Sequence, residues 1–413
     1  ILIEKKEQGA TKNAKVAEIK IARDVADKKG AAYTAIKELA LNTTFNVANN
    51  NNVNVANKTI TAAGADRYET AAEVSRKGFN TLDTGKGKDA GEKSIVLVTG
   101  AQDKLVDGLT ATPLAAALNN GTGAPILLTG NDKIAQPVLD EIERLDATKV
   151  YIVGGAISKD IETTLKTVHG LKVERVSGDD RYETALAVAE RILDAKGDND
   201  GVANARELAT DLFVVGGKGE ADALSAAAAA ARMKAPILLT NGEKLTKDVK
   251  FFLSDDKHDI PAAKTYVVGG TSSVSEAVYN EVLDIQGKGN IKRLAGKTRQ
   301  DTNAAVIDEF FTGKTVAQGA LQASPAKSTK VVVAKSDNKG MVDALGAGLY
   351  AGKNNAPLVL ATNTVSESQE DVLAKITVAT ANSSASEANR KTINKLQVGN
   401  GIAAAVAKFI KGL

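Results

Sequence analysis

Arginine stands at the same place in three copies of one short motif, and it is the residue there that helix formation does not require. Residues 64–71 read GADRYETA and residues 178–185 read GDDRYETA, identical at seven of eight positions. A degenerate third copy, Gly296-Lys-Thr-Arg-Gln-Asp-Thr-Asn303, keeps the glycine and the arginine. Asp66 with Glu69, Asp180 with Glu183 and, more loosely, Thr298 with Asp301 have the spacing of a capping box, in which each side chain satisfies an orphan backbone N–H. Gly64, Gly178 and Gly296 precede the cap, where the chain must turn. Arg67, Arg181 and Arg299 then fall on the first helical position, where a positive charge opposes the helix dipole by about 0.3–1 kcal/mol. Two chemistries account for such an arginine. It pairs with a carboxylate of its own or a neighbouring copy, the repeated candidates being Asp107, Asp222 and Asp343. Alternatively, it joins the free N–H groups of the helix start in receiving an anion. Arg175 and Arg293 add a second arginine ahead of the glycine in copies two and three, whereas copy one has Thr61 there.

Other chemistries find less support. The chain has no cysteine, which excludes disulfides and thiolate metal sites. Its two histidines, His169 and His258, do not repeat and have no partner at metal-ligand spacing, so they read as surface or loop residues and no metal is expected. The Gly-Gly pairs after Tyr151-Ile-Val and Tyr266-Val-Val lack the G-x-G-x-x-G fingerprint, no phosphate-binding G-x-x-x-x-G-K-[ST] occurs, and a tight turn is the simpler reading. Ser158, Ser225 and Ser272 have no matching histidine or G-x-S-x-G context. No cofactor and no catalytic residue is therefore expected. A net charge of +3 over 413 residues, no basic block, 4% aromatics and no Trp argue against nucleic acid. No apolar run approaches the roughly 20 residues of a membrane helix. The chain starts ILIEKKEQ, without Met or a signal peptide, and reads as a processed or trimmed product.

The elements that position these residues repeat as well. Ala124-Pro-Ile-Leu-Leu-Thr129 recurs at Ala235–Thr240 and loosely at Ala356–Leu360. The segment starting at Asp107 recurs at Asp222 and Asp343, and Tyr151-Ile-Val-Gly-Gly155 recurs at Tyr266–Gly270 and weakly at Leu396–Gly399. Short Val/Ile/Leu runs read as strands apolar on both faces. They alternate with helical patterns such as Tyr182, Ala185, Leu186, Ala189, Ile192 and Leu193. This predicts an α/β fold of three tandem modules, each a small parallel sheet of about four strands flanked by helices. The modules are expected at residues 58–170, 171–290 and 291–413, after a non-repeat segment 1–57 with a helical stretch near 12–41. Polar stretches at Asp194–Glu207, Thr312–Thr329 and Thr377–Lys395 are expected as loops.

Taken together, R-x-x-G-x-D-R-Y-E-T-A, the D-A-L-S/A segment, A-P-I-L-L-T and Y-I-V-G-G resemble the type 2 cell-wall-binding repeat family of clostridial surface proteins. The resemblance covers about residues 58–413, specific in copies one and two and weaker in copy three, where DRYETA has become TRQDTN. It implies three modules in a pseudo-threefold arrangement, non-covalent attachment to an anionic cell-wall polysaccharide, and an extracellular place in the wall or S-layer of a Gram-positive cell. It makes Arg67, Arg181, Arg299, Arg175 and Arg293 the candidate polysaccharide contacts. With no large added domain, the chain is similar to S-layer structural members of that family, which implies lattice neighbours of the same protein. It also implies a low-molecular-weight S-layer subunit docked on segment 1–57. The competing reading is a cell-wall glycan-acting enzyme on the repeated α/β scaffold, which would need a carboxylate or nucleophile cluster beyond Asp107, Asp222 and Asp343.

Overall fold

Strands buried on both faces need helices on both sides, and the chain supplies them three times. The computed structural model describes residues 59–413 apart from 102–103, 201–210, 255–262, 314–327, 329, 338–340 and 379–393. The helix expected near 12–41 and the role given to segment 1–57 lie outside the described residues. Among the described residues there are three separate four-stranded sheets, and every pairing within them is parallel. The first sheet holds β2 (Ser94–Thr99), β3 (Ile126–Thr129), β4 (Lys149–Val153) and β5 (Lys172–Val176), in the order β3-β2-β4-β5. The second repeats that order with β6 (Asp211–Gly216), β7 (Ile237–Thr240), β8 (Lys264–Val268) and β9 (Ile291–Leu294) as β7-β6-β8-β9. The third is β11-β10-β12-β1, built from β10 (Lys330–Lys335), β11 (Leu358–Ala361), β12 (Asn394–Val398) and, from the other end of the chain, β1 (Thr59–Ala62).

Sheets and sequence repeats are thus offset by one strand. The strand ahead of each GxDRYETA-type motif completes the sheet of the copy before it. In the third sheet this position is taken by β1, with Thr59 opposite Lys395 and Ala62 opposite Val398. The motif helices, α1 (Arg67–Gly78), α3 (Arg181–Asp200) and α5 (Arg299–Phe311), start directly after these handed-over strands. Each packs on the outer strand of its own copy (β3, β7 or β11) and so covers a sheet edge. That edge strand is the one opened by Pro125, Pro236 or Pro357, where a missing N–H is tolerated. The buried positions of α3 include Ala185, Ala189, Ile192 and Leu193, as the periodicity requires. This helix continues to Asp200 through the start of the expected loop Asp194–Glu207, because Ala195 still lands on the buried face.

Three further helices, α2 (Ala111–Ala117), α4 (Glu220–Met233) and α6 (Met341–Lys353), pack against one another at the centre. Each motif helix also packs on the central helix of the preceding copy: α3 on α2, α5 on α4, and α1 on α6. Thr112, Ala227 and Gly348, each five residues after the repeated aspartate of its copy, meet here. A Cβ on Gly348 would lie 2.9 Å from Ala227 Cβ and 3.2 Å from Thr112 Cγ2. Equivalent residues of three copies can converge on one point only around a threefold-like axis. The backbones approach so closely that α6 carries glycine at both contact positions, Gly348 and Gly352.

The junctions between copies are fastened differently. Between the first sheet and α3, Asp89 accepts from Tyr151 Oη (2.6 Å) and Lys149 Nζ (2.7 Å) and pairs with Arg191 of α3, all buried. Between the second sheet and α5, Tyr266 packs on Phe213 and edge-on against Phe310, at centroid distances of 5.5 and 4.8 Å.

Gly352 tests the central packing, because two effects of opposite sign meet there. Helix propensity favours Gly352→Ala by about 1 kcal/mol. However, the new Cβ would lie 2.6 Å from Ala231 Cβ and 2.8 Å from the Ala228 carbonyl oxygen, atoms of a neighbouring helix that cannot rotate away. Overpacking of this kind costs about 1–3 kcal/mol. Denaturant unfolding of Gly352→Ala should therefore show a net loss of stability, and a gain would contradict the close-packed axis.

Candidate functional site

Every residue of the repeated octapeptide has a place at the C-terminal end of a sheet. Asp66 Oδ1 caps α1, accepting from the N–H groups of Tyr68 (2.9 Å) and Glu69 (2.8 Å), and Asp180 does the same for α3 at 2.7 and 2.9 Å. Glu69 and Glu183 reach past the cap to the N–H of the preceding residue, Ala65 (2.6 Å) and Asp179 (2.8 Å). The shorter Asp301 bonds the cap N–H of Thr298 itself at 3.1 Å, so the reciprocal capping box closes fully only in copy three. The glycines are required by proximity: a Cβ on Gly64, Gly178 or Gly296 would lie 2.1–2.4 Å from the Cβ of that carboxylate residue. Sequence reading missed the threonines. Thr70, Thr184 and Thr302 each accept from the glycine N–H at 3.1 Å, and their recurrence in all three copies was the available signal.

The arginines reach across to the first strand of their own copy. Arg181 Nη1 donates to the Gly217 carbonyl at 2.7 Å and Arg299 Nη1 to the Ser336 carbonyl at 3.2 Å, and Arg67 Nη1 does the same to Gly100. The next residue of the motif packs against that acceptor. A Cβ on Gly100 or Gly217 would lie 2.8 or 2.9 Å from the ring of Tyr68 or Tyr182. In copy three both members change together: Ser336 replaces the glycine and Gln300 the tyrosine, with Gln300 Nε2 donating to Ser336 Oγ at 3.3 Å.

The aspartates face these arginines from the preceding copy. Asp107, Asp222 and Asp343 lie in the first turns of their helices and do not cap them; the N-cap before Asp222 is Gly219, without a side-chain bond. Each rests instead on the first glycine after the third strand of its sheet. Gly154, Gly269 and Gly399 have φ of +94°, +124° and +84°, and a Cβ on them would lie 2.4–2.7 Å from the aspartate side chain. Burial pushes all three carboxyls up, Asp343 to about 6, while the charges of Arg181, Arg299 and Arg67 respectively pull them back. Burial also raises Glu220, close to both Arg181 and Arg299.

Arg175 and Arg293 are engaged behind the turn. Arg175 pairs with Glu162 at 3.0 Å and donates to the Gly154 carbonyl at 2.9 Å. Arg293 donates to the carbonyls of Gly269 (3.0 Å) and Val274 (2.7 Å) and pairs with Glu276 at 3.1 Å. His169 is exposed, and His258 lies outside the described residues.

These parts enclose clefts where the loop ends of one sheet meet the motif of the next copy. The strand order places the cleft over the gap between the first and third strands of a copy, whose outgoing connections run in opposite directions, the usual ligand position in an open parallel sheet. Between copies two and three the cleft has a volume of about 440 Å³ and is lined by Lys218, Asp222, Glu243, Ser272, Lys297 and Arg299, among others. Between copies three and one it is about 230 Å³, with Arg67, Lys335, Asp343 and Asn400 in its wall. Among the described residues no group of three or more His, Cys, Asp or Glu is placed to hold a metal ion, and no helix is long and apolar enough to cross a membrane.

Three α/β units around one axis, each completed by a strand from another copy, with polar clefts at two of their junctions, define a tandem-repeat binding protein. The chain belongs to the Cell wall binding domain 2 (CWB2) family, which it matches over residues 61–162, 175–279 and 293–394. It is a cell-wall-associated, extracellular repeat protein. It is 30% identical over 305 residues to the amidase enhancer of Bacillus subtilis (strain 168), covering 73% of this chain and 35% of that protein. Among solved structures it is similar to Cwp8 and Cwp6 from Clostridium difficile, each with a TM-score of 0.65. Sequence identity is 33% for Cwp8, over 86% of this chain and 51% of that one, and 28% for Cwp6, over 90% and 50%. The chain thus spans about a third to a half of the length of these relatives.

Two experiments examine this geometry. Gly217→Ser should cost about 1–3 kcal/mol through its clash with Tyr182, and Tyr182→Gln should recover much of that loss by recreating the pair found in copy three. Additive losses in the double-mutant cycle would show that the two positions are not coupled. The second concerns Asp343. A carboxyl raised to about 6 in the folded chain binds its proton more tightly there than in the unfolded chain. Its contribution to stability therefore falls as pH rises from about 4 to 6. Melting temperatures of Asp343→Asn should gain on the wild type across that window, and parallel curves would refute the assignment.

Proposed function

We propose that the chain is a structural S-layer protein that anchors to an anionic cell-wall polysaccharide through its junction clefts. On this reading the protein binds and assembles, and it does not catalyse. The observation that carries it is the threefold recurrence of one arrangement, a motif arginine bound to the strand-end carbonyl, which at two junctions stands in the wall of a polar cleft over the strand ends. A guanidinium has five N–H donors, and the bond to the strand-end carbonyl uses one of them while fixing its position. The remainder suits the phosphate or carboxylate of a wall polymer. Arg67, Arg181 and Arg299 are the contacts in this reading, and Arg175 and Arg293 hold the turns that shape the cleft. The cap side chains already occupy the N–H groups that open each helix, so the guanidinium, more than the helix start, is the anion receptor. Membership of a cell-wall-binding family and likeness to clostridial Cwp proteins support the wall as the place of binding. As in the high-molecular-weight subunit of a clostridial S-layer, segment 1–57 pairs with a low-molecular-weight subunit and the modules meet copies of themselves in the lattice.

Sedimentation with purified clostridial walls tests the anchoring. Wild-type binding should weaken with added salt, as charge-assisted binding does. It should fall sharply for the combined Arg67→Gln, Arg181→Gln and Arg299→Gln variant, each exposed charge pair being worth up to about 1 kcal/mol. Salt-independent binding, or full binding by a variant that melts like the wild type, would refute the arginine contacts.

A further inference from the structure

The three junctions are alike in backbone and unlike in charge. The strand-end carbonyl that accepts from the motif arginine gives a common origin: Gly100, Gly217 and Ser336. The residue after it is Ala101 in the first copy, Lys218 in the second and Asp337 in the third. The residue after the motif glycine, contributed by the following copy, is Asp179 at the first junction, Lys297 at the second and Ala65 at the third. Lys218 and Lys297 are both exposed and both line the 440 Å³ cleft, together with Arg299. Their counterparts at the other junctions are neutral or acidic. At the third junction Lys335 also lines the cleft, but it is tied to Asp337 at 2.6 Å. The second cleft is the larger of the two by about 210 Å³ (440 − 230).

Acidic groups oppose the second-junction cations. Glu243 lines the cleft, and Asp222 and Glu220 lie near Arg299; burial pushes both of the latter toward the neutral form. At the Glu243 position the first copy has another acid, Asp132, so this residue does not distinguish the first junction from the second. The lysines do. Other residues lining the same cleft carry hydroxyls and an amide, among them Asn241, Thr271 and Ser272, which suit sugar hydroxyls.

Resting on the wall-polymer reading above, we infer that the charged group of the polymer is held at the second junction. Lys218, Lys297 and Arg299 receive one phosphate or carboxylate there while the other polar residues of the same cleft take the attached sugar. At the first junction the cations near Asp107 are Lys104 and Arg181, and at the third Lys335 is tied to Asp337; neither junction has lysines at the two positions held by Lys218 and Lys297. Sequence comparison of the copies hides this site, because its two lysines are the residues that do not repeat.

The test uses the full chain and purified clostridial walls, intact or chemically stripped of anionic polymer. One variant carries Lys218→Gln with Lys297→Gln, and a second carries Ala101→Gln with Asp179→Asn at the matched positions of the first junction. All four positions lie outside the packed core, so unchanged melting curves are expected. The lysine variant should bind intact walls about tenfold more weakly and with a shallower salt dependence; the first-junction variant should bind as the wild type does. Wild-type binding with an unaffected lysine variant overturns this inference and leaves the wall-polymer reading standing. Wild-type protein that binds stripped and intact walls equally overturns the wall-polymer reading and this inference with it.

Discussion

A four-stranded sheet that receives its last strand from the next copy cannot be completed by one copy alone, and the rest of the molecule follows from this. The handed-over strand leads straight into the motif helix, so that helix starts over one sheet and lies along the edge of another. Its capped start, its arginine and its aromatic neighbour are thereby fixed at the seam. The aspartate on the other side belongs to the preceding copy, so the site is a property of a junction and of no single module. The small residues at the axis are the complementary condition. Sheets can exchange strands around a closed circuit only if the three central helices come close enough, and Thr112, Ala227 and Gly348 allow it.

Repetition made most of this architecture legible. The parallel strands, the capped helices, the turn glycines and the anomalous arginines were all marked by recurring at one spacing. What the sequence hid were relations between copies. Val173-Glu-Arg-Val reads as the opening of a repeat because it stands next to the motif in the chain. Its hydrogen-bond partner is the strand before it. A strand-like stretch at residues 59–62, ahead of the first motif, was the available clue. The placement of the aspartates was hidden as well, because a polar residue after a strand ordinarily caps a helix. A positive-φ glycine some 47 residues downstream of Asp107 and Asp222 instead determines their position.

The most informative differences between copies were the paired ones. Tyr68 with Gly100 and Tyr182 with Gly217 give way together to Gln300 with Ser336. A chain with internal repeats carries its own comparison set, and correlated departures within it point to contacts as surely as recurring residues do. The single departures, such as Lys218 and Lys297, carry another kind of information: they mark where copies with one backbone differ in charge.

The closing strand has a kinetic consequence. Thr59 pairs with Lys395 across nearly the whole described chain, so β1 is made long before the strand it pairs with. Until then the third sheet keeps an open edge beside β12, and β1 remains a four-residue strand without a sheet. Contacts of such sequence separation form late, after the loop entropy of everything between them has been overcome. A chain emerging from a translocation channel would complete the first and second sheets in order and then wait. Its final step is a single joining event that locks all three copies at once, and a chain truncated ahead of β12 would never reach it.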